Sequence, residues 1–366
     1  MTTPETSEKA ADKNDKTPPL PPPVDVISQT SHSVVINGET VNYQATAGRL
    51  ILKAEDEKTG EKPKAAIFFV AYTRDRPTDA SEAGYVAARP ITFAFNGGPG
   101  SSSVWLHLGL LGPRRVVLEE DGRPLPPPYR LVNNDYSLLD KTDLVFIDPV
   151  TTGFSRAVPG EADKQFHGFK PDIESVGEFI RLYLSRNHRW ASPRYLIGES
   201  YGTTRAAGLA GHLQERHGLY LNGIMLISVV LNFMTLHFAP GNDLPYMLFL
   251  PTYAATAHYH GRLGPGVPAE LPALLAEVEA FAMNEYALAL LRGDALPAEE
   301  RAAIANRLAG YTGLSADYIA RTNLRINIHR FTKELLRDRR RTTGRLDSRY
   351  TGIDRDAAGE YDEFDP

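Results

Sequence analysis

Apolar positions along this chain change period as the sequence proceeds, and the changes mark its elements. Near the start, Val34-Val35-Ile36 and Thr40-Val41-Asn42-Tyr43 flank Asn37-Gly38. That dipeptide accepts the positive φ values of a type I′ turn, so the segment predicts a β-hairpin. Arg49–Leu52 and Ala65–Tyr72 predict a second antiparallel pair, joined by a charged turn around Gly60. The pattern then shifts to short, continuously apolar runs at Ile91–Phe95, Leu144–Ile147, Tyr195–Ile197 and Ile224–Val230. Runs of this length without alternation read as strands buried on both faces. Between 172 and 184, Ile173, Val176, Phe179, Ile180, Tyr183 and Leu184 recur at helical spacing. Antiparallel strands leading into alternating strands and helices predict an α/β fold whose mostly parallel sheet carries antiparallel strands at its N-terminal side. From about 235 the texture changes, with helical patterns near 269–291, 297–308, 315–322 and 328–338, expected to form a cap inserted over the sheet.

Domain limits follow from the same pattern. Residues 1–28 are polar and then proline-rich, a composition that cannot bury enough apolar surface to order itself. A core is expected over 29–234, the helical insertion over 235–350, and a polar end over 351–366. The 366 residues carry 40 basic and 45 acidic side chains, a net charge of −5, so no global field recruits nucleic acid or an anionic membrane. The absence of cysteine excludes disulfides, thiolate metal sites and cysteine nucleophiles. No apolar stretch reaches signal-peptide length at the start or transmembrane length later, and a cytoplasmic protein is expected.

Chemistry concentrates in two glycine-rich turns. Gly198-Glu199-Ser200-Tyr201-Gly202 follows the strand at 195–197 and opens a helix of small residues. Strand, sharp turn and helix make G-x-S-x-G a nucleophile elbow, with Ser200 lifted clear of the sheet. Asn96-Gly97-Gly98-Pro99-Gly100 follows the strand at 91–95. In the elbow fold such a loop supplies one oxyanion donor and the residue after the serine the other, which assigns the N–H groups of Gly98 and Tyr201. A phosphate-binding loop is disfavoured, since no lysine accompanies the glycines.

With Asp148-Pro149-Val150-Thr151-Thr152-Gly153-Phe154-Ser155 between them, and with Gly198–Arg205 and Gly344–Tyr350, these motifs resemble the serine carboxypeptidase family, its bacterial branch in particular. The resemblance implies an α/β-hydrolase fold and a peptidase acting on substrates with a free C-terminus, without metal or other cofactor. It implies that Ser200 attacks the scissile carbonyl and that Asn96, Gly97 and Glu199 bind the terminal carboxylate. Glu199 donates a hydrogen bond to such a carboxylate only when protonated. The chain departs from the family pattern at Leu110, where many members have a second glutamate, at Ser101, often cysteine, and at Thr151, usually glycine.

A triad also needs a histidine base and an acid, and in the family both follow the serine in later parts of the sheet. The last histidine here is His329 and no strand pattern follows Val230. The last strands and both triad partners are therefore expected to be missing, and the chain as given to be inactive. His107, His212, His217, His258 and His260 read as surface or packing residues, and His258 with His260 lacks a third metal ligand. Arg337, Arg339, Arg340, Arg341 and Arg345 read as a solvated turn. The alternatives are a non-catalytic protein that binds peptide C-termini, and an esterase or acyltransferase on the same fold.

Overall fold

The structure is a computed structural model that describes residues 23–56, 60–359 and 361. It divides into two compact units, Met1–Leu231 and Asn232–Pro366. The expected N-terminal tail lies outside the described residues as far as residue 22, as does most of the turn before Gly60.

The first unit is built on an eight-stranded sheet. Strands β1 (Val26–Ile36), β2 (Glu39–Asp56) and β3 (Gly60–Arg74) form an antiparallel ribbon. Asn37 and Gly38 at φ 51° and 82° make the tight turn between the first two. After helix α1 (Glu82–Ala88) the chain enters β4 (Ile91–Phe95), whose five residues are all buried. The short helix α2 (Val104–Leu106) and a ribbon of β5 (Arg114–Val116) and β6 (Leu131–Asn133) lead to β7 (Asp143–Ile147). Then come β8 (Arg156–Ala157), helix α3 (Phe169–Arg186), β9 (Arg194–Glu199), helix α4 (Tyr201–His217) and β10 (Gly223–Ile227). The sheet order is β1-β2-β3-β7-β4-β9-β10, with β8 beside β3. β7, β4, β9 and β10 run parallel, while β3 meets β7 antiparallel.

Side chains alternate across this sheet, as a two-residue period requires. Phe93, Phe95, Val145, Ile147 and Leu196 point to the face covered by α3, with Phe179 and Tyr183. Ala94, Leu144, Phe146 and Ile197 point to the other, with Leu106, Leu111 and Leu139. Helices α3 and α4 approach closely at Gly208, where a methyl group would lie 2.2 Å from Ile173 Cδ1.

Three boundaries differ from expectation. β1 begins at Val26 rather than after 28, because Asp25 and Val26 are held to β2: Ile51 N–H donates to Asp25 Oδ1 at 2.8 Å, and Val26 pairs with Arg49. The strand expected over 224–230 ends at Ile227, since Ser228 turns to φ 50°. The end beyond 351 is not simply polar surface. The Lys333 ammonium is buried and donates to buried Asp354 at 2.5 Å, and Thr351–Gly352 pairs with Thr342–Thr343.

The second unit is helical: α5 (Leu244–Leu248), α6 (Leu250–Tyr259), α7 (Leu271–Phe281), α8 (Ala287–Arg292), α9 (Ala298–Thr312), α10 (Ala316–Arg321) and α11 (Ile328–Glu334). They enclose a core of their own around Tyr253, Phe281, Tyr286, Leu308 and Phe331. His258 and His260 each bond a backbone carbonyl, of Ala269 and Ser348, and no metal-binding cluster occurs among the described residues.

Candidate active site

Ser200 joins β9 to α4 at φ 56° and ψ −125°, a conformation non-glycine residues rarely adopt. It is kept there from both sides. Its N–H donates to Ile227 O at 3.0 Å, and its carbonyl accepts Thr203 N–H at 2.8 Å. The flanking glycines are required by space. A methyl on Gly198 would lie 2.0 Å from Gly202 O, and one on Gly202 would lie 2.7 Å from Phe95 O.

The loop from β4 lies directly against this turn. A methyl on Gly97 would stand 2.4 Å from Tyr201 N and 2.7 Å from Glu199 O, all rigid backbone. Gly97-Gly98 and the start of α4 are therefore brought together, as the assignment of Gly98 and Tyr201 to one oxyanion site requires. Among the described residues the Gly98 N–H donates to no acceptor. Asn96, almost fully buried, spans the junction: its Nδ2 donates to Glu199 Oε2 at 3.0 Å, and its Oδ1 accepts Leu106 N–H at 3.0 Å. The expected carboxylate-binding residues thus lie side by side next to the serine.

Two charged residues that the sequence reading passed over complete the arrangement. Arg205, on the buried side of α4, is only 1% exposed. Its Nε donates to Asp172 Oδ2 at 2.8 Å and its Nη1 to Asn96 O at 2.8 Å. Its guanidinium lies 5.2 Å from the Phe95 and Tyr201 ring centres. A side-chain hydrogen bond also links Tyr201 to Asp172; burial first, then the Asp172 charge, raises the Tyr201 hydroxyl above its ordinary pKa. The available signal was a charge on an otherwise buried stripe of Gly202, Ala206, Leu209 and Leu213.

Asp148, at the end of β7, anchors the far side of the glycine loop. Its Oδ1 accepts Ser103 N–H at 2.8 Å, while the Ser103 hydroxyl donates to Ile147 O. Burial raises the Asp148 carboxyl above its ordinary pKa. Thr151, in the turn that follows, sits at φ 72° where the resemblance leads one to expect glycine. Leu110 is half exposed and contributes no carboxylate.

Neither His107 nor the α4 histidines serve the serine. His107 is half-buried, its Nε2 is 2.6 Å from Tyr72 Oη, and its ring stacks on Phe146. His212 and His217 lie edge-to-face against one another. Among the described residues no histidine hydrogen-bonds Ser200.

A serine at positive φ between a parallel strand and the helix it opens, backed by a glycine loop from the neighbouring strand, defines an α/β-hydrolase-type protein. Residues 56–234, just under half of the chain, match the family model of the serine carboxypeptidases. Pheromone-processing carboxypeptidase KEX1 of Saccharomyces cerevisiae (strain ATCC 204508 / S288c) is 34% identical over 168 residues, 43% of this chain and 21% of that protein. Serine carboxypeptidase-like 36 of Arabidopsis thaliana is 32% identical over 148 residues, 39% of this chain and 29% of that one. The chain therefore spans about a fifth to under a third of the length of these relatives. The crystal structure of KEX1(delta)p, a prohormone-processing carboxypeptidase from S. cerevisiae, is 22% identical with a TM-score of 0.39, covering 77% of this chain and 52% of that one. No described helix is long and apolar enough to cross a membrane.

Proposed function

We propose that the protein is a serine-type carboxypeptidase that recognises peptides by their free C-terminal carboxylate. The observation that carries this reading is the Asn96 Nδ2–Glu199 Oε2 contact of 3.0 Å immediately before the nucleophile. An amide donor next to a carboxyl group offers a second carboxylate one fixed N–H and, when Glu199 is protonated, one O–H. A carboxylate held there fixes the last residue of a peptide, and with it the peptide bond presented to Ser200.

In the reaction Ser200 Oγ bonds to the carbonyl carbon and gives its proton to a base, a group that no histidine bonded to Ser200 among the described residues supplies. The carbonyl electron pair moves onto oxygen, where the Gly98 and Tyr201 N–H groups meet the charge. Collapse of that intermediate breaks the C–N bond. The departing amine takes a proton, and water then attacks the acyl-serine ester to release the shortened peptide. The strained turn and the glycine loop support the first half of this sequence.

The test is calorimetric titration with acetyl-Phe-Leu and its C-terminal amide, alongside assay of leucine release. The free acid is expected to bind at least about tenfold more tightly, and Asn96→Ala to abolish the difference, because two charge-assisted bonds are at stake. Equal binding of acid and amide would sink the reading. Preference for the acid without leucine release would instead make the protein a receptor for peptide C-termini.

A further inference from the structure

Beside the oxyanion donors the first unit carries a cleft of ≈ 440 Å³, to which Asn96, Glu199 and Ser200 contribute no wall. Pro99, Val150 and Phe166 give it apolar sides, and Tyr201 borders it. Thr151 and His167 also line it, with Thr151 Oγ1 3.1 Å from His167 Nε2. The charges in its lining are committed to each other. Asp172 accepts from Arg205 Nε at 2.8 Å and is hydrogen-bonded to Tyr201. A charged side chain entering the cleft would lose water without gaining an unengaged counter-charge.

Thr151 is the unusual member. A β-branched residue at φ 72° is a backbone outlier, and such outliers persist where their surroundings hold them, often at binding sites. Here the Thr151 N–H donates to Ser155 O at 3.1 Å, fixing the turn and presenting the hydroxyl to His167. A threonine hydroxyl has one donor and two acceptor positions. The bond to His167 uses one of them, so a ligand hydroxyl can be met in either sense.

We propose that this cleft receives the side chain on the acyl side of the scissile bond. It selects an uncharged aromatic ring with a polar tip, tyrosine ahead of phenylalanine, through the Thr151 hydroxyl. The inference rests on the carboxypeptidase reading. The pair that holds the leaving residue's carboxylate does not line the cleft, so the cleft serves the other side of the bond. Its apolar sides stack on the ring, and Thr151, positioned by His167, meets the phenol.

The experiment compares acetyl-Xaa-Leu dipeptides, with Xaa as Tyr, Phe, Ala or Lys, on wild type, Thr151→Gly and Thr151→Ser, by titration and by leucine release. Wild type is expected to favour Tyr over Phe by roughly three- to tenfold, the size of one net hydrogen bond. It is expected to favour both over Ala and Lys. Thr151→Gly relieves the backbone strain and stays folded. That variant should lose the Tyr advantage and keep the preference for Phe over Ala, while Thr151→Ser should retain both. Equal affinity for Tyr and Phe in wild type, or a Tyr advantage that survives Thr151→Gly, overturns the proposal. If acetyl-Tyr-Leu and its amide bind alike, the carboxypeptidase reading fails, and this inference fails with it. Intact acid preference with no side-chain ranking removes this inference alone.

Discussion

Replacing Arg205 by methionine tests the buried network around the elbow. The substitution keeps an unbranched side chain of comparable reach but removes the charge that faces Asp172. Arg205 is 1% exposed and Asp172 8%, so solvent does not repair the loss. Breaking a buried pair by removing one partner destabilises by about 3–5 kcal/mol, because the remaining charge is left uncompensated. The Asn96 carbonyl loses its guanidinium donor at the same time. At roughly 2–4 °C per kcal/mol for a unit of this size, the melting temperature should fall by about 6–20 °C. Thermal denaturation by near-ultraviolet circular dichroism reads this directly. The double variant Arg205→Met with Asp172→Asn neutralises the stranded charge and keeps an acceptor for the Tyr201 hydroxyl, so it should recover most of the loss. The reasoning is refuted if the single variant melts within a degree or two of wild type, or if the double variant melts no higher than the single.

Two further outcomes follow from the same structure. Burial pushes the His107 pKa from 6.5 down to about 4, so between those values the unfolded chain binds more protons than the folded one. Stability should therefore rise by about 3 kcal/mol from pH 4 to pH 6.5 and level off above. Urea midpoints across that range should show this limb, and His107→Gln should flatten it. Ser200→Gly removes the strain at φ 56°, so the variant should be more stable by about 1 kcal/mol, seen as a higher melting temperature.

The centre of the sheet was legible because β4 and β7 are buried on both faces and so are continuously apolar in sequence. The β1–β2 turn was legible because Asn37-Gly38 names its own geometry. β2 was read as two pieces, since Gln44–Gly48 between them is polar and small. Backbone pairing to β1 on one side and β3 on the other carries the strand through that gap. Ser200, Gly97 and Glu199 could be singled out as candidates because the turns that place them are written in local sequence. Arg205 and Asp172 could not, being 33 residues apart and meaningful only as a pair. The Thr151–His167 contact was hidden in the same way, since neither residue alone signals the other.

The Asn96–Arg205–Asp172 linkage makes readiness of the elbow an all-or-none property. Asn96 follows β4, Asp172 lies in the first turn of α3 and Arg205 lies in α4, so no single element holds the site's shape alone. The Ser200 amide, bonded to Ile227 O, should exchange with deuterium only as slowly as the first unit opens as a whole. An ageing preparation should accordingly lose the fraction of competent molecules while each survivor keeps its full affinity. Titrated against a tight ligand, it would show a falling stoichiometry at constant dissociation constant.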